Sequence, residues 1–457
     1  MPSMKASVPT YTHTAYALPI KEWLMYLFLA ASPFYMFAVF ADRDWPTLWV
    51  MLAIFFFLAL EFLYTRGKFW YDRSFTYLAL FISCYLLSAL IVLFTHHAES
   101  YLGRTPEDRA LTVTIRALFA GAVYLAFVNC MAGCSERSYR KIFYVQMMVG
   151  TAIAMFGIVQ YVSFVGFSYD GLTHIAPTNE TYALQSSFLG RGSQRIYRAA
   201  AIYNEPSIFG FFLAPFLVKA VVARAHNVII GNTIVHGLLI VTLTTAIAMN
   251  LSLTAVLSVV FVTFVFVAYS LRGTPYFGKF LLASLVLLVL FMLSPLGSTV
   301  LQRLDVVFGL RDPSTLDRVF RAYTAFEVFL QSPVFGIGPG GYAFWYPKLK
   351  GFIVQGMASP LNMWLSFLTD AGIVAFIAFL VFLGNILRRA YRARARHPLL
   401  RVYLWSLFCY LVLLTTIDIW YSELFWFELA MLLSLASSPF LSSMNERPVP
   451  FRSSEGS

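Results

Sequence analysis

Charge is what this sequence has least of. Only 12% of its 457 residues are Asp, Glu, Lys or Arg, against about 25% in an ordinary soluble domain, which excludes a water-soluble globular enzyme. Cysteine is scarce too: Cys84, Cys130, Cys134 and Cys409 all lie in or at the end of apolar runs, where a thiol packs as a small hydrophobe. Neither a disulfide framework nor a zinc site follows from that spacing. No polar stretch approaches the ~100 residues of an independent soluble domain, so residues 1–457 read as a single integral membrane domain. The net charge of +11 is not gathered on a soluble module, which excludes a nucleic-acid partner.

What the sequence has in abundance is apolar length: 59% of residues are hydrophobic and the mean hydropathy is +0.72. Runs long enough to cross a bilayer predict an all-α polytopic protein of about 12 transmembrane helices. They fall near residues 22–41, 47–64, 75–95, 111–133, 142–166, 199–223, 228–248, 251–271, 280–295, 361–387, 399–418 and 422–441. The first run follows a polar lead and lacks a small-residue cleavage site, so it reads as a span and not a signal peptide. Lys and Arg fix the orientation, because short basic loops stay cytoplasmic. The loops on the terminal side carry 20 of them, including Lys219 and the run from Arg388 to Arg396, whereas the short loops opposite carry Arg43, Arg104 and Arg109. Both termini are therefore expected in the cytoplasm, with the bilayer itself as a partner.

Two connections are too long to be simple turns, residues 167–198 and 296–360, and both are expected outside, where functional elements concentrate. The second contains a predicted helix from Ser314 to Gln331. Val319, Tyr323, Phe326 and Leu330 recur in it at three- and four-residue steps, with Asp317, Arg318, Arg321 and Glu327 on other faces. It reads as an amphipathic helix at the membrane surface. No internal repeat of the kind that marks many transporters is present.

The chemistry-bearing candidates gather in those two loops. Arg191, Arg195, Arg198, Arg303, Arg311, Arg318 and Arg321 run against the charge bias, and planar guanidinium donors suit phosphate oxygens. Glu205 precedes Pro206 at the outer end of the sixth span, in Arg198-Ala-Ala-Ala-Ile-Tyr-Asn-Glu-Pro-Ser207. A carboxylate there either pairs with an arginine or serves as a general base. The segment Gly336-Ile-Gly-Pro-Gly-Gly-Tyr342 lacks the strand-to-helix context and the Lys-Ser/Thr of a nucleotide loop, so ATP binding is rejected. Its Gly338 and Gly340 allow close backbone approach, and Tyr342, Phe344, Trp345 and Tyr346 offer flat faces to sugars or to the interface. His174 is a reserve base, while Asp370, Glu423, Glu428 and His236 read as packing or pairing groups inside the bundle. No set of side chains has metal-ligand spacing, and no nucleophilic serine elbow appears.

Four landmarks in order resemble the O-antigen polymerase and ligase superfamily of membrane glycosyltransferases. They are Arg198 to Gly210 with Asn204-Glu-Pro-Ser207, Asn250-Leu-Ser-Leu-Thr254, Asp317-Arg318 through Ser332-Pro-Val-Phe-Gly-Ile-Gly-Pro-Gly-Gly-Tyr342, and Asn362-Met-Trp-Leu365 through Asp370-Ala-Gly372. The Asn-Glu-Pro-Ser form is similar to exopolysaccharide polymerases. The resemblance implies a GT-C-like fold in the bacterial cytoplasmic (inner) membrane and an undecaprenyl-pyrophosphate-linked oligosaccharide as substrate. It implies no cofactor and no metal, with a chain-length regulator or a flippase as possible protein partners. By the same resemblance Arg198, Arg318 and Arg321 act on the leaving pyrophosphate and Glu205 activates the acceptor hydroxyl. Arg191, Arg195, Asn204, Asp317, Gly338, Gly340, Tyr342 and Asn362 would line the substrate site. Ligases of the superfamily carry a His-Asn pair where this chain has Leu361-Asn362. The Arg-x15-Gly pattern of some polymerases is not met either, since Ser207, Val334 and Ile337 follow Arg191, Arg318 and Arg321 at that distance. A polymerase is the expected reading, with a ligase and a lipid-linked oligosaccharide flippase as alternatives.

Overall fold

The computed structural model describes residues 17–34, 46–64, 72–94, 103–131, 134–167, 188–189, 196–203, 205–293, 313–350 and 358–438. Among these, fourteen α-helices account for nearly all regular structure. Nine precede the second long loop: α1 (Ala17–Ala31), α2 (Pro46–Tyr64), α3 (Ser74–Phe94), α4 (Pro106–Met131), α5 (Glu136–Phe167), α6 (Pro206–Ala225), α7 (Thr233–Asn250), α8 (Leu253–Leu271) and α9 (Tyr276–Leu293). Two lie within that loop, α10 (Pro313–Gln331) and α11 (Tyr342–Lys350). Three close the bundle, α12 (Met363–Ala393), α13 (Pro398–Leu413) and α14 (Glu423–Ser437). In the first long loop Phe188–Leu189 pairs antiparallel with Ile196–Tyr197. Each expected span coincides with one of the bundle helices, and seven of these are long and apolar enough to cross a membrane.

Helix α6 lies at the centre, packed against α5, α7, α8 and α13, while α12 runs along α3 and α14 along α4. Its start differs from the expected run at residue 199: the helix begins only at Pro206, whose fixed φ and missing N–H suit a first helical position. Residues 199–203 are instead a turn, tied down by two buried amides. Gln160 accepts from the N–H groups of Ala200 (3.1 Å) and Ala201 (2.9 Å) and donates to Ala201 O (3.1 Å). Asn250 donates to Ala199 O (2.8 Å) and Pro206 O (2.6 Å), gripping both ends of the turn.

The bundle interior is aromatic. Phe81, Tyr85, Phe367, Phe379 and Trp420 form one contiguous cluster between α3, α12 and the turn before α14, with ring centroids 4.7–6.3 Å apart, a geometry worth about 0.5–1.5 kcal/mol per pair beyond area burial. Among the described residues an ion pair also crosses this apolar interior. Lys219, counted by its sequence position among the loop charges, is fully buried on α6 and pairs with Glu428 of α14. Gln146 of α5 donates to the same carboxylate (3.2 Å) and accepts from Tyr403 of α13 (3.0 Å), so the pair joins four helices. The expected pairing of Glu428 inside the bundle is thus what the structure contains. His236 is likewise internal, held by Ala220 O (2.9 Å) and the N–H of Ile230 (3.1 Å).

Polar contacts sort by membrane face as the loop charges require. Asp72 pairs with Arg389, Ser138 with Glu22, His397 with Glu136 (3.4 Å) and Arg401 with His226 (3.4 Å). Every one of these joins two segments of the basic set. At the opposite end Gly340 meets Asp370, and Arg318 meets the turn after α13.

Candidate functional site at one end of the bundle

The sequence of α10 places Asp317 and Arg321 one turn apart, and they form an ion pair of 2.7 Å. Arg321 also donates from Nη1 to Ser359 O (3.2 Å), and its guanidinium lies 5.3 Å from the centre of the Tyr346 ring. Tyr346 donates its hydroxyl to the other oxygen of Asp317 (2.9 Å), and Tyr342 donates to Arg321 O (3.0 Å). Burial, reinforced by the Asp317 carboxylate, pushes the Tyr346 phenol up to about 12. Burial raises Tyr342 as well, so both tyrosines remain donors at neutral pH. Arg318 donates from Nη1 to Thr416 O (2.9 Å) in the turn after α13. These bonds leave Nη2 of both arginines as the unused edge among the described residues, with Arg321 only 15% exposed. Preoriented guanidinium donors at a low-dielectric surface are what a leaving phosphate group needs.

Behind the arginines, the glycine segment docks into a break in α12. Gly372 has φ +77° inside that helix, and the interruption frees backbone groups for the incoming chain. Ile337 N–H donates to Thr369 O (2.8 Å) and Ile373 N–H to Pro333 O (2.8 Å). Gly336, at φ +72°, approaches so closely that a Cβ there would stand 2.6 Å from the backbone of Asp370 and Ala371. The N–H of Gly340 donates to Asp370 Oδ1 (2.9 Å), while Ser88 of α3 holds Asp370 O (2.6 Å). Gly338 faces Val92 of α3, and Gly340 faces the side chain of Arg109. The glycines thus permit contact with α3, α4 and α12. Three of the four aromatic rings that follow are buried, Tyr342 at 1%, Phe344 at 7% and Tyr346 at 1% exposure, so they position α10 and do not present open faces.

Asn362 caps α12: its side chain accepts from Leu365 N–H (3.1 Å) and donates to Thr415 O (2.8 Å). The preceding Leu361 has φ +53°. Glu205 is half-buried at the start of α6 and accepts from Ser207 Oγ (2.8 Å). Arg198 borders the Gln160-bound turn. The described contacts therefore bring Asp317, Arg318, Arg321, Tyr342, Gly340 and Asn362 into one assembly around α10, α12 and the turn of residues 414–422. Arg191, Arg195, His174, Asn204, Arg303 and Arg311 lie outside the described residues.

The structure adds residues that loop reasoning missed. Arg109 and Arg116 of α4 are seven residues apart, two turns on one face. Both lie near Asp418, which sits in the turn beyond α13 and not in a span as the apolar run 399–418 suggests. Burial pushes the Asp418 carboxyl up to about 6 against the pull of the Ser366 hydroxyl and of those arginines. An arginine inside an apolar run was the available signal.

Residues 238–380 match the O-antigen ligase family. The match spans α10, the glycine segment, Asn362 and Asp370, and it bears out the resemblance to the O-antigen polymerase and ligase superfamily over that stretch. No curated protein matches the chain.

Proposed function

We propose, from that family match and the arrangement around α10, that the chain is a membrane glycosyltransferase that polymerises undecaprenyl-pyrophosphate-linked repeat units at the outer face of the bacterial cytoplasmic membrane. The observation that carries the reading is the pair Arg318 and Arg321, held by Thr416 O, Asp317 and Ser359 O with one guanidinium edge of each still available. The acceptor hydroxyl of the incoming unit attacks the anomeric carbon of the growing chain. The bond to the donor pyrophosphate breaks, and the electron pair leaves with it. Arg318 and Arg321, with Arg198, offset the charge that develops on that leaving group. Glu205, with Asp317 and His174 in reserve, takes the hydroxyl proton. No nucleotide, cofactor or metal enters the reaction. Protein partners are a flippase that delivers the units and a regulator of chain length.

The exposed stripe of Val319, Tyr323, Phe326 and Leu330 on α10 supports a position at the bilayer surface, where a polyprenyl tail could stay in lipid while its pyrophosphate meets the arginines. The test is reconstitution of the purified protein in vesicles with lipid-linked repeat units as the sole substrate, in the presence of EDTA. A ladder of lengths is expected. Absence of any ladder contradicts the reading.

A ligase remains the second reading, favoured by the family that matches residues 238–380 and opposed by Leu361 at the position of the ligase histidine. Adding a lipid acceptor to the same vesicles separates the two, because a ligase forms product only then.

A further inference from the structure

At the end of the bundle that carries the basic loops, the ends of α6, α8, α12 and α13 meet. Arg394, which caps α12, lies with its guanidinium 3.5 Å from the centre of the Tyr391 ring and donates to Tyr391 O (2.6 Å). Arg401 of α13 donates from Nε to Arg394 O (3.1 Å) and from Nη1 to the ring of His226, which caps α6 (3.4 Å). One turn further along α13, Trp405 packs 6.0 Å from the ring of Tyr269 and 5.3 Å from that of Phe266, both on α8. The Tyr269 hydroxyl meets the side chains of Tyr391 and Arg394, and Arg272 caps α8 three residues beyond it. Among the described residues no carboxylate bonds to Arg272, Arg394 or Arg401. Glu22, Glu61, Asp72 and Glu136, on the same face, pair with Lys141, Lys21, Arg389 and Arg140. Holding arginines in fixed positions beside one another costs side-chain entropy and charge repulsion, and a bound anion offsets both.

The surroundings select the class of anion. From Arg401, the side chains of Leu404, Trp405, Phe408 and Leu411 recur along α13 at three- and four-residue steps, each partly exposed. Helix α13 packs against both α8 and α12, whose outward residues Phe261, Phe264, Ile377 and Val381 are exposed, so the stripe is a recess between two more prominent helices. An apolar recess that begins at a cluster of arginines suits a molecule with a phosphate at one end and a hydrocarbon chain at the other. Tyr269, Tyr391 and Trp405 stand at the junction, where amphipathic rings settle at the level of lipid headgroups. We propose that Arg272, Arg394 and Arg401, with these three rings, form a site for an anionic phospholipid of the leaflet on the basic side. Its headgroup phosphate lies on the guanidinium groups and one acyl chain lies along Leu404 and Phe408. The site is independent of the glycosyl-transfer reading, since none of its residues belongs to the assembly around α10.

The test is binding of phosphatidylglycerol to the purified full chain in detergent, followed by native mass spectrometry, with phosphatidylcholine as the neutral comparison. Phosphatidylglycerol is expected to bind the wild type more tightly than phosphatidylcholine. Arg272→Gln and Arg394→Gln should each weaken it about fivefold, the scale of one basic side chain at an anionic lipid surface. Arg137→Gln, which removes an exposed arginine of the same face at the start of α5, should leave binding unchanged. Equal weakening by Arg137→Gln would show diffuse attraction to the whole basic face and overturns the site. Phosphatidylcholine binding as tightly as phosphatidylglycerol overturns it too, because the arginines would then recognise no charge. Displacement of the lipid by excess inorganic phosphate would make this a site for free phosphate and contradicts the acyl chain in the recess. Arg272 is exposed at its helix end, so Arg272→Gln should melt at the wild-type temperature in detergent without added lipid. A lower melting temperature there would mean that the arginine holds the fold, and would overturn its assignment to a lipid.

Discussion

Replacing Gly336 by alanine tests whether the glycine segment is clamped into α12 as described. The added Cβ would stand 2.6 Å from Asp370 C, Asp370 O and Ala371 N, all backbone atoms that no side-chain rotation can move. The residue also sits at φ +72°, where a Cβ costs about 1–2 kcal/mol. Forcing an extra carbon into a packed interior adds about 1–3 kcal/mol, so Gly336→Ala should lose about 2–5 kcal/mol. Gly340→Ala has a different signature, because its Cβ meets side chains and no backbone: Arg109 Cγ at 2.7 Å, Val113 Cγ2 at 3.0 Å and Arg109 Nε at 3.1 Å. It should cost little beyond the dihedral penalty but displace Arg109, reducing product more than stability. Gly237→Ala is the control, with open space around it and a helical backbone. Thermal unfolding of the three variants in detergent, alongside their abundance in membranes, reads these differences. If Gly336→Ala unfolds at the wild-type temperature, the docking of residues 332–341 into the break at Gly372 is wrong.

Arg318→Lys keeps the charge but loses the planar fork, and polymer formation should fall by about 100-fold, the scale on which one oriented donor acts on developing charge; the rate in reconstituted vesicles checks it. Lys219→Met leaves Glu428 buried without its cation and should cost about 3–5 kcal/mol, whereas Lys219→Met with Glu428→Leu should recover most of that loss in the same unfolding assay. Burial depresses His397 and His226 below their ordinary value of 6.5, with Arg401 adding to the effect at His226. Depressed histidines favour the neutral form in the fold, so their stabilisation is complete above about pH 6.5 and is lost as pH falls. Unfolding followed from pH 8 to pH 5 should show that decline, reduced in His397→Gln; a flat profile refutes it. Glu205→Gln at wild-type abundance should stop chain growth, and normal-length polymer from it would remove Glu205 from the reaction.

Periodicity made some of this legible. The three- and four-residue steps of Val319, Tyr323, Phe326 and Leu330 announced α10, and those side chains are exposed along one stripe. Loop charge sorted the two membrane faces because Asp72 and Arg389, or His397 and Glu136, meet only within one set. What the sequence hid depends on distance along the chain. Asp370 and Gly340 are thirty residues apart, and nothing local says that a carboxylate in an apolar run will receive the N–H of a loop glycine. Asp418 was concealed at the tail of an apolar run that the helix does not use, since α13 ends at Leu413. Lys219 counts among the loop charges although the apolar run of 199–223 already contains it, and α6, continuing to Ala225, carries it inside. Gln160 and Asn250 show the converse, since an isolated amide in an apolar run is a usable sign that some backbone nearby is not helical.

The central claim is that lipid-linked repeat units are joined on the outer face of the membrane by this chain. The most direct measurement is the size and leaflet distribution of lipid-linked glycans in cells lacking it. Single repeat units accumulating on the outer leaflet, and lengthening when the wild-type chain but not Arg318→Lys is restored, is the predicted result. Accumulation on the inner leaflet, the mark of a flippase, or long lipid-linked polymer persisting outside, the mark of a ligase, would contradict it.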